Sequence, residues 1–163
     1  MFYLAVFFLL AAGAAHWAAN REAQKHGETV LARRWETSVF YRDEEFIGWV
    51  TSGSASVDGY RSVLAPYDLA LLACLGAALA AGSLAAAESL QCVDGGRWVL
   101  CVAPVAFSAA DFVEDRLLLA RMAARSATPA EVQKLRRATL GKFLALAAAV
   151  NQTVALALWA FFA

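Results

Sequence analysis

Four long apolar stretches, separated by polar segments, dominate the pattern of this 163-residue chain. They cover residues 2–18, 66–87, 98–120 and 140–162. Each is close to the ~20 helical residues that cross a hydrocarbon core of ~30 Å, and lipid admits only helices or closed barrels because their backbone groups bond internally. The pattern therefore predicts an all-α polytopic membrane protein, a four-helix transmembrane bundle that forms one four-span domain over residues 1–163.

The segment between spans one and two, residues 19–64, has an apolar pattern of its own. In a helix its apolar residues would gather mainly on one side, which is typical of helices that lie at a membrane interface. These residues are Leu31, Trp35, Val39, Phe46, Trp49 and Val50. We therefore expect a short amphipathic interfacial segment that packs on the bundle or lies on the membrane. A solvated connector anchored by tryptophans is the alternative.

Lysine and arginine residues are distributed unevenly between the two sides of such a bundle. Twelve lie after span one or around the loop between spans three and four, whereas Arg97 alone lies in the loop between spans two and three. Because basic residues favour the inner side, we expect both termini on the outer side, which would be periplasmic, lumenal or in the intermembrane space. The expected location is a bacterial inner membrane or an organelle inner membrane. The basic residues follow the first apolar run, which favours a retained span over a cleaved signal peptide.

Small residues recur at every fourth position in span two, at Ala78, Gly82 and Ala86. With this spacing they form a smooth ridge that lets another helix approach closely. We expect tight helix contacts along this ridge, within the chain or to a neighbouring subunit.

Span four is preceded by a helix start at Thr128-Pro129-Ala130-Glu131, where threonine suits the N-cap, proline the first helical position and glutamate the third. We expect a helix to about Phe161, and its ~50 Å length lets the basic first turns project from the membrane. The basic residues that we expect to contact lipid headgroups or a partner are Arg33, Arg34, Lys134, Arg136 and Arg137.

Span three contains acidic side chains where charge is costly. Asp111, Glu114 and Asp115 lie at positions i, i+3 and i+4, which share one face of a helix. A carboxylate near the bilayer centre costs at least ~2.5–3.5 kcal/mol unless it is paired, protonated or hydrated. We therefore expect a structural polar cluster that holds the bundle together by hydrogen bonds. Its predicted members are His16, Asp68, Asp111, Glu114, Asp115, Arg116 and Lys142.

The alternative to a structural cluster is a site that handles a ligand or a proton, with Asp111 and Glu114 as acid and base and His16 nearby. We expect no metal site, because the sequence lacks the paired Glu-x-x-His helices of di-iron bundles. It also lacks the cysteine and glycine motifs of haem, zinc and nucleotide sites. No cofactor is therefore expected, and structural phospholipids are the bound molecules that such a bundle admits.

The motif Asp111-Phe112-Val113-Glu114-Asp115, followed by Ala138-Thr139-Leu140-Gly141-Lys142, resembles a pattern in uncharacterised, chiefly bacterial four-span membrane proteins. In that family an Asp-x-x-Glu-Asn in span three precedes a Thr-x-x-Lys that enters span four. The resemblance covers roughly residues 57–145 and implies a four-span fold without an activity. It also implies that Asp111 or Glu114 pairs with Lys142, and Asp115 stands where the family has asparagine.

Composition narrows the function classes. The formal charge is zero and 61% of the residues are hydrophobic, so nucleic acid is not an expected partner. We expect a non-catalytic accessory subunit of a larger membrane complex, of the respiratory or photosynthetic electron-transport type, whose partners are other membrane subunits and lipids. The alternative is a small integral-membrane enzyme or carrier for a lipid, sterol or quinone.

Overall fold

The computed structural model describes residues 1–26, 35–90 and 97–162, and these residues form helices with no strand among them. A π-helical turn, Leu64–Asp68, joins two of the helices into one continuous rod, and single 3-10 turns occupy Trp35–Thr37 and Arg97–Cys101. The helices are α1 (Phe2–Lys25), α2 (Asp43–Thr51), α3 (Ala55–Val63), α4 (Leu69–Ser89), α5 (Val102–Ala124) and α6 (Pro129–Phe162).

Three helical rods among the described residues are long and apolar enough to cross a membrane, namely Phe2–Lys25, Ala55–Ser89 and Pro129–Phe162. The prediction of an all-α chain is confirmed, and so are helices of membrane-spanning length at these three places. The expected third span corresponds to α5, which is 23 residues long. It differs from the others because charged side chains interrupt its apolar sequence.

Neighbouring long helices run antiparallel. The amino terminus at the start of α1 lies 3.7 Å from Glu88 at the end of α4, and His26, just after α1, lies 3.1 Å from the hydroxyl of Ser62 in α3. The helices α5 and α6 also pack side by side in antiparallel directions. The α4 helix lies between α1 on one side and the α5–α6 pair on the other.

The start of α6 has the reciprocal cap that its sequence predicts. The Glu131 N–H donates to Thr128 Oγ1 over 3.4 Å, and the Glu131 carboxylate accepts a hydrogen bond of 2.9 Å from the Thr128 N–H. The preceding helix ends at Arg125, whose φ of 48° is left-handed and reverses the chain. The predicted helix from Pro129 to about Phe161 is confirmed, and it covers the 34 residues Pro129–Phe162.

Aromatic residues of the segment before α4 pack on the C-terminal end of α5 and the N-terminal end of α6. Phe46 and Val50 are fully buried, and Trp49 donates a hydrogen bond of 3.1 Å to Ser56. We call this group the aromatic cap; its members are Trp35, Tyr41, Phe46, Trp49, Val50, Val57, Tyr60 and Leu64, packed against Leu118, Met122, Val132 and Leu135. The apolar face of the segment is thus directed to the protein, because α5 and α6 offer apolar residues there for it to cover.

The π-helical turn at Leu64–Asp68 contains Pro66. Proline has no N–H to donate and its ring displaces the carbonyl one turn earlier, so the helix widens locally instead of continuing with regular α bonds. Past this turn α4 approaches α5 closely at Gly76, where an added Cβ would lie only 2.0 Å from Ser108 Oγ. The π-helical turn and the close approach at Gly76 together determine the position of Asp68 relative to α5.

Candidate functional site

The acidic residues of α5 lie on the face that packs against α4 and α6. Glu114 and Asp115 lie about one helical turn after Asp111, and only 8%, 0% and 0% of the surfaces of Asp111, Glu114 and Asp115 are exposed. Positions i, i+3 and i+4 bring side chains onto one face, and here that face is the interior of the bundle. The acidic face of α5 is therefore buried.

Lys142 of α6 is the cation that faces these carboxylates. Its Nζ lies 2.9 Å from Asp111 Oδ1 and also contacts Glu114 Oε2, while only 6% of the residue is exposed. The contact that the resemblance implies is thus present for both acidic residues. A buried ion pair of this kind is stable only when further hydrogen bonds satisfy the remaining polar atoms.

Glu114 has such a further hydrogen bond. The hydroxyl of Thr139, one turn before Lys142 on α6, donates to Glu114 Oε1. Both carboxylate oxygens of Glu114 therefore have partners on α6. Thr139 is fully buried. In the sequence, a threonine three residues before a lysine in an apolar helix is the pattern that indicates this polar position.

Asp115 differs from its neighbours. It is fully buried, and neither of its carboxylate oxygens has a hydrogen-bond partner among the described residues. One oxygen each from Asp68, Asp111 and Asp115 lie within 4.8 Å of one another. We call this group the three-aspartate cluster; Asp68 reaches it from the π-helical turn and the other two come from α5.

Two residues of the predicted polar cluster lie elsewhere. His16 is on the exposed side of α1 and is hydrogen-bonded to Asn20 over 3.0 Å. Arg116 is exposed on α5 and its guanidinium lies 5.5 Å from the ring centre of Phe112. Both residues were predicted members because of their depth in the membrane. Rotation about the helix axis, however, directs each side chain away from the cluster.

The basic residues at the start of α6 have separate surroundings. Arg136 binds Asp43 at 2.6 Å, donates to the Tyr41 carbonyl, and lies over the Tyr41 ring at 4.9 Å. Arg136 thus has contacts within the chain, because α2 lies beside this turn of α6, and its contact with lipid headgroups or a partner stays a prediction. Lys134 and Arg137 are exposed. Arg33 and Arg34 lie outside the described residues.

The small-residue ridge of α4 lines an open apolar groove between α1, α4 and α6. Its volume is about 600 Å³. Ala78, Gly82 and Ala86 form one wall, and Thr153 and Ala157 of α6 form another. Polar bonds hold the walls together, since the hydroxyls of Ser83 and Thr153 lie 2.9 Å apart. None of the buried carboxylates lines the groove, so the two features are separate.

Several carboxyl groups lie close together in the interior. Asp68, Asp111, Glu114 and Asp115 offer four carboxyl groups, and Lys142 contacts Asp111 and Glu114. Carboxylates that repel one another in a low dielectric require a proton or a cation between them. The arrangement can therefore fasten helices together or hold a positive ion.

Comparison of this chain with protein families, with curated proteins and with solved structures finds no match.

Proposed function

We propose that the chain crosses the membrane four times, with α5 as the third span. The two ends of α5 are tied to α6 at well-separated levels: Gln152 donates to the Leu100 carbonyl over 2.6 Å, and Arg121 is paired with Glu131. The 21 helical residues between positions 131 and 152 rise ~32 Å, which matches a hydrocarbon core. The pairing of α5 with α6 over this distance supports α5 as a span of the same bundle.

The charged side chains of α5 are compatible with this topology. Asp111, Glu114 and Asp115 are covered by α4 and α6, so a lipid environment meets mainly the apolar remainder of the helix. Charged residues in membrane helices are tolerated when they face the bundle interior and are paired there. The basic residues gather at the end that holds Arg121 and Arg136, and Arg97 lies at the other end, which supports both termini on the outer side.

Within this topology, the protein acts as a non-catalytic accessory subunit of a larger membrane complex, of the respiratory or photosynthetic electron-transport type. The observation that carries the proposal is the open apolar groove lined by alanine and glycine, of which α1 forms one wall. Small residues allow a helix of another subunit to approach closely, and close van der Waals packing drives helix association in lipid. On α1 only Ala12 and Ala23 are buried, which leaves much of this helix for neighbours or lipid.

Native separation tests this function directly. Membranes of the source cell are solubilised in mild detergent, resolved on a native gel, and the proteins that migrate with this chain are identified by mass spectrometry. We expect migration with a large complex. Migration of the chain alone, or as a small oligomer, would contradict the accessory-subunit proposal.

A matched pair of variants ties the result to the groove. Ala157→Leu adds bulk to a residue that lines the groove, whereas Ala148→Leu adds the same bulk on an exposed face of the same helix that does not line it. We expect Ala157→Leu to lose comigration and Ala148→Leu to keep it. If both variants comigrate with the complex, or if neither does, the groove does not determine assembly.

A second candidate is a membrane carrier or enzyme for a lipid, sterol or quinone. The observation that favours it is the set of buried carboxyl groups around Lys142, since such groups supply an acid and a base when one is kept protonated. Asp111→Asn and Glu114→Gln distinguish the candidates. Lost assembly favours the accessory subunit, whereas retained assembly with lost binding of extracted lipids or quinones favours the carrier.

A further inference from the structure

The three-aspartate cluster brings together side chains that are far apart in sequence. Asp111 and Asp115 are one turn apart on α5, and Asp68 comes from the π-helical turn before α4. One carboxylate oxygen from each lies within 4.8 Å of the other two. Oxygens that bind one Ca²⁺ ion at about 2.3–2.6 Å are separated by at most ~5 Å, so the spacing fits a shared cation.

Asp115 is the residue that requires an additional partner. It is fully buried, and both of its oxygens lack hydrogen bonds within the described part of the chain. Buried polar groups are almost always satisfied, and a buried carboxylate without compensation is among the most costly arrangements in a protein. The Asp115 carboxylate is directed into a cluster whose other members are also acidic, so the partner that compensates it is a proton or a cation.

We propose that the three-aspartate cluster is a binding site for one divalent cation of the hard, oxygen-preferring class, such as Mg²⁺, Ca²⁺ or Mn²⁺. With all groups ionised, Asp111, Glu114, Asp115 and Lys142 carry a net charge of −2, from three negative charges and one positive charge. A divalent ion offsets this charge. A reduction of this size matters most in a buried site of low dielectric.

The ligand atoms select the class of metal. All three side chains of the cluster offer carboxylate oxygen, which suits Mg²⁺, Ca²⁺ and Mn²⁺, whereas imidazole and thiolate ligands favour zinc, copper and iron. His16 is exposed on α1 and bonded to Asn20. The sequence led us to expect no metal site because it lacks paired Glu-x-x-His helices, whereas the fold brings three aspartates together.

A cation at this position would fasten the π-helical turn to α5. Lys142 already ties α5 to α6 through Asp111 and Glu114. The metal would supply the corresponding link between α4 and α5, with Asp111 shared by both. This inference does not depend on the accessory-subunit proposal, because a bound ion would hold the bundle together with or without neighbouring subunits.

The full-length chain in mild detergent, stripped of metal by a chelator, tests the site. Mn²⁺ is titrated in, and the electron paramagnetic resonance signal of free Mn²⁺ reports how much is bound. We expect one bound Mn²⁺ per chain, which Mg²⁺ or Ca²⁺ displaces. Asp115→Asn keeps the side-chain shape and removes the charge, and we expect it to weaken Mn²⁺ binding at least tenfold.

The controls keep the test decisive. Asp58→Asn makes the same chemical change at an exposed residue that pairs with Arg125, and it should bind Mn²⁺ like the wild type. Asp68→Asn, at the half-buried edge of the cluster, is the second variant should Asp115→Asn fail to fold, and it should also weaken binding at least tenfold. The proposal is overturned if the wild type leaves the free Mn²⁺ signal unchanged, or if the folded cluster variants bind as tightly as Asp58→Asn.

Discussion

Lys142 Nζ lies 2.9 Å from Asp111 Oδ1, across the interface between α5 and α6. The same ammonium group contacts Glu114, whose second oxygen accepts a hydrogen bond from Thr139. One cation thus holds two carboxylates from successive turns of α5. Its removal would leave both carboxylates buried without a counter-charge.

Lys142→Met should therefore destabilise the bundle by about 3–5 kcal/mol, the usual cost of breaking a buried ion pair by removing one partner. Denaturant unfolding in detergent, followed by circular dichroism, measures the change. Lys134→Met makes the same substitution at an exposed position of the same helix and should change stability by less than about 0.5 kcal/mol. Equal effects of the two variants would show that the ion pair is unimportant.

The contact between Gly76 and Ser108 should be intolerant of a methyl group. An added Cβ at Gly76 would lie 2.0 Å from Ser108 Oγ, so Gly76→Ala should cost about 1–3 kcal/mol through overpacking. Gly13→Ala is the control, since no atom lies within 4 Å of the Cβ that it adds. The same unfolding titration measures both.

A second substitution sharpens the Gly76 prediction. Ser108→Ala removes the clashing hydroxyl and leaves the Ser108 Cβ, at 3.4 Å, as the nearest remaining side-chain atom. We expect the double variant to recover most of the stability that Gly76→Ala loses. A double variant no more stable than Gly76→Ala would mean that the helices do not meet at these residues.

Arg136 should control how firmly α2 is held on the bundle. It binds Asp43 and the Tyr41 carbonyl, and bonds to a charged group are each worth about 1.5–3 kcal/mol when buried and less when partly exposed. Arg136→Ala should speed hydrogen exchange of amides in α2, while the exposed neighbour variant Arg137→Ala should not. Unchanged exchange in Arg136→Ala would argue against the clamp.

The stability of the aromatic cap should depend on pH in the alkaline range because of the Tyr41 hydroxyl. Burial raises the pKa of its hydroxyl to about 12, although Arg136 beside it acts to lower that pKa. The folded protein thus favours neutral tyrosine, so this contribution to stability is complete below pH ~10, the pKa of an unperturbed tyrosine, and is lost as pH rises towards 12.

The tyrosinate absorbance of the wild type minus that of Tyr41→Phe isolates this titration. We expect the difference curve to have its midpoint near pH 12 in the folded protein and near pH ~10 in denaturant. A folded-state midpoint near pH ~10 would mean that the Tyr41 ring is solvated and the aromatic cap is open.

The apolar runs predicted the membrane helices but not their full lengths. The first run ends at residue 18, yet α1 continues to Lys25, and the second rod begins at Ala55, eleven residues before the run at 66. Hydropathy reports which residues suit lipid, whereas backbone hydrogen bonding continues through polar residues outside it. The residues at which the helical rods begin and end were therefore not predictable from hydropathy alone.

The polar site was predictable in part. The spacing of Asp111, Glu114 and Asp115 indicates a shared face, and Lys142 is the cation at matching depth. His16 and Arg116 have suitable depths too, but depth does not fix rotation about a helix axis. The apolar pattern of residues 35–64 predicted a segment that packs on the bundle or lies on the membrane, but the surface of α5 and α6 that it covers is set by tertiary contacts.

The central claim is that α5, with its acidic face, crosses the membrane inside the bundle. Cysteine labelling of the full-length chain in intact membranes tests it, after Cys74, Cys92 and Cys101 are replaced by alanine. Single cysteines are introduced as Trp98→Cys just before α5 and as Ser126→Cys just after it, and each is probed with a membrane-impermeant maleimide. We expect Trp98→Cys to be labelled from the outer side and Ser126→Cys only from the inner side; labelling of both from the same side would contradict the four-span account.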